Sequence, residues 1–389
     1  MQVGGEAQAL RVCDGIRRAP LRSVADVAVE AIPLCELPAV EPDWLRLLPV
    51  STADRTFCSP AWFRATCSHH PELQPSIHVA RRGGDVVGIL PLHRSGPEGL
   101  ARLEPSFGDS ADAIVAAGDQ PAALALLLGA LDGEPGTGTL RRLDLCRLHP
   151  RAVLLGAVRG LVAACPGFRL GETRRTTYVA DLSGGGGAHL AGRSRKLGKN
   201  LRRAHRQAAS AGVEVRPLGP LDLPPAELPL RFVELHRARF GADSCFSTRE
   251  SQAFLGQVLP ELFATGRLTV LGLVADGARL LGLELLSHGP AGLGDWNGAF
   301  LPEAAVYSGG SLLIEAGLDL GFARGDAEYD LLEGDESYKR RWATGTRPLT
   351  DLSITRVGPI AVDEAGPRWP ATGAMTFTGP LMEETRCST

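Results

Sequence analysis

Aromatic side chains are scarce in this chain, 5% of 389 residues, whereas glycine and proline are plentiful at 47 and 28. Such a bias reflects a GC-rich coding sequence more than any chemistry. An excess of charge of one sign is missing too. A formal net charge of −3 excludes a globally basic nucleic-acid binder and an acidic solvating protein, so an anionic partner would be met at one local site. Eight cysteines are present, at Cys13, Cys35, Cys58, Cys67, Cys146, Cys165, Cys245 and Cys387, but no two stand at C-x-x-C spacing, which removes the common zinc and redox motifs. Long apolar runs are absent. The most apolar, Ala122 to Leu131, falls far short of the roughly 20 residues that span a bilayer. The amino-terminal stretch MQVGGEAQALRVCDGIRR lacks the uninterrupted apolar core of a secretion signal. These absences predict a soluble, cytoplasmic protein with free thiols and no metal. The length and the 44% hydrophobic content predict about two or three domains with sizeable cores.

What the chain does have is a concentrated basic block. Gly192 to Gln207 reads GRSRKLGKNLRRAHRQ, with Arg193, Arg195, Lys196, Lys199, Arg202, Arg203 and Arg206 and no acid among them. At a helical period Leu197, Leu201, Ala204, Ala208 and Ala211 share one stripe, and Arg195, Lys199, Arg202 and Arg206 share another. One face docks on a core while the other presents cations. Ser194 suits the N-cap and Gly212 the stop. Arg195, Lys196, Lys199 and Arg202 are therefore candidate anion-binding residues.

The remaining pattern repeats. A lead of about twenty disordered residues (1–22) precedes an edge strand at Val27 to Ile32 and helices at Trp44 to Leu48 and Pro60 to His70. Ser76 to Ala80 and Val86 to Leu92 flank Arg82-Gly-Gly-Asp85, a hairpin signal. A strand at Ala111 to Ala116, a helix from Pro121 to Leu131, a strand at Leu140 to Leu145 and a helix at Arg151 to Ala164 follow. Thr176 to Leu182 leads into Ser183-Gly-Gly-Gly-Gly187, a flexible joint. After the basic helix come a strand at Val213 to Arg216, helices at Leu230 to Phe240 and Ser247 to Phe263, and a second hairpin about Asp276-Gly277. A strand at Gly292 to Ala299, a helix at Gly309 to Ala323 and a closing strand at Glu328 to Leu332 complete the set. The repeated order predicts an α/β (α+β) chain of two similar domains, 23–182 and 183–357, with a flexible tail over 358–389.

Two stretches carry chemistry. Leu331-Leu-Glu-Gly-Asp-Glu-Ser-Tyr-Lys-Arg-Arg-Trp342 runs from a strand into acids, a tyrosine, cations and a tryptophan. Glu333, Asp335 or Glu336 would act as base or orient an amine, Tyr338 would deliver a proton, and Lys339 would hold an anion. Tyr307-Ser-Gly-Gly-Ser-Leu-Leu-Ile-Glu315 opens a helix with small residues, so Ser308, Gly309, Gly310 and Ser311 would present free N–H groups to a diphosphate or phosphopantetheine. Other patterns are decoys. Gly192 to Asn200 imitates a P-loop but has five residues between its glycines where the motif has four, and Asn200 stands where it needs Ser or Thr. Cys67-Ser-His-His70 with His78 lacks a fourth metal ligand, and no G-x-S-x-G elbow is present.

Ser59-Pro-Ala-Trp-Phe63, Gly192 to Ala204, Leu235-His-Arg-Ala-Arg-Phe240, Tyr307 to Leu313 and Gly334-Asp-Glu-Ser-Tyr-Lys-Arg-Arg-Trp342 together resemble the GNAT acyltransferase superfamily in its duplicated form. The likeness is to CelD-type proteins, named for cellulose biosynthesis and related to the Fem peptidyltransferases. It covers about Ser51 to Ser353. The resemblance implies two tandem GNAT-like domains, each a mixed, mainly antiparallel sheet flanked by helices. It also implies acetyl-CoA or another acyl-CoA bound in a splay between strands Gly292 to Ala299 and Glu328 to Leu332, with pyrophosphate on Ser308 to Ser311. An amine of a small molecule, saccharide or peptide would attack the acyl carbon directly, with Asp335 and Glu333 as bases, Glu284 and Asp295 in reserve, Tyr338 as acid, and Lys339 and Trp342 at the site. Two alternatives stay open: a charged tRNA as donor, its phosphates on the basic helix, and a binding module without catalysis.

Overall fold

A computed structural model describes residues 21–24, 26–95, 99–132, 140–184 and 192–357. The expected lead before residue 21, the tail after 357 and most of the glycine joint lie outside the described residues.

The first half contains β1 (Leu21–Val24), β2 (Val27–Ile32), α1 (Leu37–Leu47), α2 (Pro60–His69), β3 (Gln74–Arg82), β4 (Asp85–Ser95), β5 (Leu100–Leu103), the short β6 (Ile114–Val115), α3 (Gln120–Asp132), β7 (Arg142–Leu148), α4 (Val153–Ala164) and β8 (Phe168–Asp181). The second contains α5 (Arg195–Ser210), β9 (Val213–Leu218), α6 (Leu228–Phe240), α7 (Arg249–Ala264), β10 (Thr269–Ala275), β11 (Arg279–His288), β12 (Leu293–Phe300), α8 (Gly309–Arg324), β13 (Glu328–Glu333), α9 (Ser337–Trp342) and β14 (Gly345–Arg356). Both expected hairpins form. Gly83 and Gly84, at φ 58° and 98°, turn β3 into β4, and Asp276 and Gly277, at φ 51° and 75°, turn β10 into β11. Ser194 caps α5 by accepting from Leu197 N at 3.2 Å, and the helix buries Leu197, Leu201, Ala204 and Ala208 while its cationic stripe stays exposed.

All the strands join one mixed, mainly antiparallel sheet in the order β1-β2-β3-β4-β5-β7-β14-β8-β13-β12-β11-β10-β9, with β6 on β4. Among the described strands only β5 with β7 and β12 with β13 run parallel, and each of these pairs is joined by a crossover helix, α3 or α8. The order is that of two copies meeting head to head. Their final strands are exchanged: β14 of the second half lies against β7 of the first, and β8 of the first lies against β13 of the second. The swapped strands also pair with each other along their whole length, from Gly345 opposite Val179 to Arg356 opposite Phe168.

Helices cover both faces. One core gathers α3 and α4 on the first half and takes in Leu352 and Ile354 of β14. A second gathers α5 and α8 with Tyr329 and Trp342 on the second half. A third joins the halves, because Trp62 of α2 stacks edge-on with Phe254 of α7 and Trp296 of β12 at centroid distances of 5.4 and 5.1 Å. No described helix is long and apolar enough to cross a membrane.

Three expectations need correction. Glu328–Glu333 is not the closing strand, since β14 follows it; Gly345 and Pro348 in β14 disguise its alternation, in which Thr350, Leu352 and Ile354 are buried. Val27–Ile32 is not at the sheet edge, because β1 pairs outside it. The strand expected over Ala111 to Ala116 shrinks to Ile114–Val115.

Ile354 is fully buried in the first half's core although it belongs to the second half by sequence. Ile354→Ala should cost about 2–5 kcal/mol and lower both halves together in one transition when unfolding is followed by calorimetry.

Candidate active site

The two parallel strand pairs differ in a way that opens a cleft in one half only. β5 and β7 are in register over four positions, Leu100 opposite Arg142 to Leu103 opposite Leu145. β12 and β13 pair at one position, Gly294 opposite Asp330. Beyond it Leu332 turns to φ 60° and Gly334 to φ 123°, so β13 leaves the line of the sheet. The Asp330 carboxylate accepts from Leu332 N at 2.9 Å and the buried Lys339 ammonium donates to the carbonyls of Leu332 and Glu333. These bonds fix the divergence. The gap opens toward the carboxyl ends of the strands, where an α/β sheet with a crossover helix binds its ligands.

At this gap Glu284 of β11 and Asp295 of β12 meet as a buried pair of carboxyls. A side chain at Gly298, opposite Glu284 in the ladder, would place its Cβ 2.1 Å from Glu284 Oε2; glycine there makes room for the acid. Burial pushes Glu284 well above the usual carboxylate range, and the neighbouring Asp295 adds to the rise. Asp295 is raised by burial as well. Two carboxyls this close in a dry setting hold a proton between them at neutral pH. Asp295 Oδ1 and the Tyr329 hydroxyl are buried without a hydrogen bond of normal geometry. Tyr338 stands beside the pair, and burial, then Asp295 and Glu284, keep its phenol protonated far up the pH scale. Arg239 brings a cation from α6: its guanidinium lies 4.2 Å above the Phe300 ring, donates to Gly298 O at 2.9 Å and interacts with both acids, while the Lys339 ammonium also acts on Asp295.

Other expected site residues are placed differently. Asp335 is exposed, accepts from the Tyr178 hydroxyl at 2.6 Å and is ion-paired with Arg340, and these partners hold its carboxyl below the usual range. It is a poor base. Glu333 is bound by Arg175 at 3.0 Å and Arg147 at 3.3 Å, which makes it a clamp between the halves. Lys339 is committed to backbone carbonyls and to Glu336 at 3.1 Å, so its role is to hold β13 rather than an anion. Trp342 is 1% exposed in the second half's core and is out of reach of any substrate. Ser308 heads α8 in the left-handed region, φ 55°, its carbonyl accepting from Ser311 N at 2.8 Å. The glycines after it are also packing requirements, since a Cβ at Gly309 would meet Leu273 Cδ2 at 2.9 Å and one at Gly310 would meet Phe300 Cε1 at 2.9 Å. The amides of Gly309 and Gly310 still point out of the helix, on the side where Phe300 carries Arg239. Arg195, Lys196, Lys199 and Arg202 are exposed on α5, which packs against α8 through His205 and Glu315 at 2.7 Å. Arg239 and Tyr329 had no role in the sequence reading; the acids they serve come from strands distant in the chain. Among the described residues no group of His, Cys, Asp and Glu is arranged to hold a metal.

Residues 195–340 match the family model described as Acetyltransferase (GNAT) domain. This stretch is thus similar to GNAT acetyltransferase domains. It contains the gap, the acid pair, Arg239, Tyr329 and Tyr338. No curated protein matches the chain. Among solved structures the chain is similar to FemX, with 13% identity and a TM-score of 0.59 over 80% of this chain and 95% of that one. It is also similar to a C-terminal domain assigned to a lysylphosphatidylglycerol synthetase of Agrobacterium fabrum, at 14% identity and TM-score 0.53 over 81% and 92% of the two chains. A third likeness is to L-PGS from Bacillus licheniformis, at 10% identity and TM-score 0.51 over 80% and 90%. These likenesses concern the fold, which extends beyond the GNAT-like domain to most of the chain.

The acid pair gives the GNAT-like domain a signed pH dependence. Both carboxyls bind their proton more tightly folded than unfolded, so stability falls as pH rises through and above the ordinary carboxylate range. Glu284→Gln, which keeps the shape and removes one ionisation, should flatten that fall above the ordinary carboxylate range in chemical denaturation. Gly298→Ala, which drives a methyl into Glu284, should lower the unfolding midpoint by several degrees, about 1–3 kcal/mol.

Proposed function

We propose that the protein is an N-acyltransferase that moves an acyl group from acyl-CoA to an amine by direct attack. The observation that carries this reading is the gap between β12 and β13, which are paired at Gly294 and Asp330 alone and open beside a buried acid pair and the first turn of α8. Pantetheine in that gap would add to the open edge of β12, and the diphosphate would meet the amides of Gly309 and Gly310 with Arg239 beside them. The thioester supplies an activated acyl carbon. Glu284 and Asp295, relayed through one another, accept the proton of the attacking ammonium, a task suited to carboxyls whose affinity for protons has been raised toward neutrality. Tyr338 returns a proton to the leaving thiolate. The β12 amides left without a partner on β13 would hold the oxyanion. The likeness of Ser59 to Phe63 and Gly334 to Trp342 to CelD-type proteins belongs to the same reading, as does a cytoplasmic setting where acyl-CoA is available.

A second reading rests on the exposed cations of α5 and the FemX-like fold: an aminoacyl group would come from charged tRNA, whose phosphates would lie on Arg195, Lys196, Lys199 and Arg202. The two readings differ in donor and share the acid pair.

A thermal-unfolding titration separates them. Acetyl-CoA at about a hundred times its dissociation constant should add about 2.7 kcal/mol to the native state and raise the midpoint by several degrees, with no such shift for ATP. Glu284→Gln and Asp295→Asn should bind acetyl-CoA normally yet lose about 10²–10⁴ in turnover with an amine acceptor. Absence of a CoA-specific shift, together with charged-tRNA binding that disappears in an Arg195→Glu, Lys199→Glu, Arg202→Glu variant, would replace the first reading by the second.

A further inference from the structure

A second polar cavity lies where the halves meet, on the other face of the sheet from the acid pair. Along β13, Glu328, Asp330 and Leu332 alternate with Tyr329 and Leu331 and so point away from Asp295. The cavity is lined from the first half by Asp54, Asp109 and His149 and from the second by Ser287, Asp330 and Arg347. Arg347 is already neutralised, since its guanidinium grips Glu328 and Asp330. Asp54 and Asp109 have no cation within ion-pairing distance among the described residues. Asp54 turns one oxygen to the amides of Thr56 and Phe57, both at 2.8 Å, while its other oxygen lies toward Gly289 in the cavity wall. Burial, with Asp330 and Asp109 nearby, pushes Asp54 up to about 7, and burial pushes Asp109 to about 7.

Three further side chains are buried and unanswered. Ser287 is fully buried and its hydroxyl has no partner. His149 is 4% exposed; its Nδ1 accepts from Arg151 N at 3.0 Å, which leaves the ring proton on Nε2, and Nε2 has no partner. Arg347 Nε is likewise buried without an acceptor. Two carboxyls without a direct ion-pair partner, Asp109 being acted on by Arg147 and Lys339 only from a distance, therefore face N–H donors without acceptors across one small space.

We propose that this cavity binds a small primary amine bearing a neighbouring hydroxyl, its ammonium held by Asp54, Asp109 and Ser287 Oγ and its oxygen held by His149 Nε2 and Arg347 Nε. An ammonium has three donors in tetrahedral array, which matches two carboxylates and a hydroxyl, and its charge offsets the cost of burying two acids. An oxygen on the next carbon accepts from the two donors. Because the walls come from both halves, an occupant also fastens them together. The proposal does not depend on the transfer reaction, which uses the opposite face.

Ethanolamine is the probe, measured by isothermal titration calorimetry on the full chain at about pH 8. Saturable binding is expected, weakened about tenfold or more in both Asp109→Asn and Ser287→Ala. Propylamine, without the oxygen, should bind more weakly, and tetramethylammonium, without donors, should not bind. The far-UV circular dichroism spectrum and the cooperativity of thermal unfolding serve as the folding control for each variant. No saturable binding of ethanolamine, equal binding by the wild type and both variants, or a site that takes magnesium in place of the amine would overturn the proposal.

Discussion

Backbone hydrogen bonds between β8 and β14 run along the whole of Gly345–Arg356, and every larger feature of the molecule leans on them. Each strand completes the sheet of the half to which it does not belong by sequence. Side chains repeat the crossing: Arg175 of β8 bonds Asp351 of β14 at 2.7 Å and Glu333 of β13 at 3.0 Å, and Arg147 of β7 reaches Glu333 as well. These pairs are partly buried and sit over backbone that is already paired, so they fix register more than they add stability. With β8 fixed against β13, the end of β13 can bend away from β12 without the sheet coming apart.

The duplication has divided the work. In the first half the parallel pair stays zipped, and its crossover helix α3 is buried over the whole of Ala122 to Leu131, a core element with no room for a ligand at its flank. In the second half the equivalent pair is open, the crossover helix begins on a left-handed serine, and the strands beside the gap carry two buried acids. The first half instead contributes a wall. Trp62, Phe107 and the loop around Asp109 press on the back of the second half's sheet; the Phe107 carbonyl accepts from Trp296 Nε1 at 2.8 Å, next in the chain to Asp295.

Much of this was legible in the sequence because local rules dictate it. The two hairpins follow from Gly-Gly and Asp-Gly at positions that need positive φ, α5 from its cap and its two stripes, and the repeated element order from periodicity. What was hidden depends on contacts remote in the chain. Asp335 had the right neighbourhood by sequence but faces solvent and Arg340, while Glu284 and Asp295 sit on different strands and acquire their properties only when the sheet brings them together in a dry place. Lys339 and Trp342, adjacent to charged residues, read as surface chemistry; burial makes one a brace and the other a core anchor. β14 was overlooked because a strand with glycine and proline near its start becomes regular only when β7 and β8 are already waiting on both sides.

The exchanged strands also set a timetable for the ribosome. The first half's sheet needs β14, and that strand is translated after every other strand of the second half. Until residue 356 has left the exit tunnel, β7 has an open edge and the α3–α4 core lacks Leu352 and Ile354. The N-terminal half therefore cannot finish folding ahead of the C-terminal half in the usual vectorial manner; both must be held incomplete and then close together. A chain interrupted anywhere between the halves releases fragments with an exposed strand edge each, ready to pair with any other such edge. Splitting the gene into separately made domains is thus closed to this architecture, even though its two halves descend visibly from one plan.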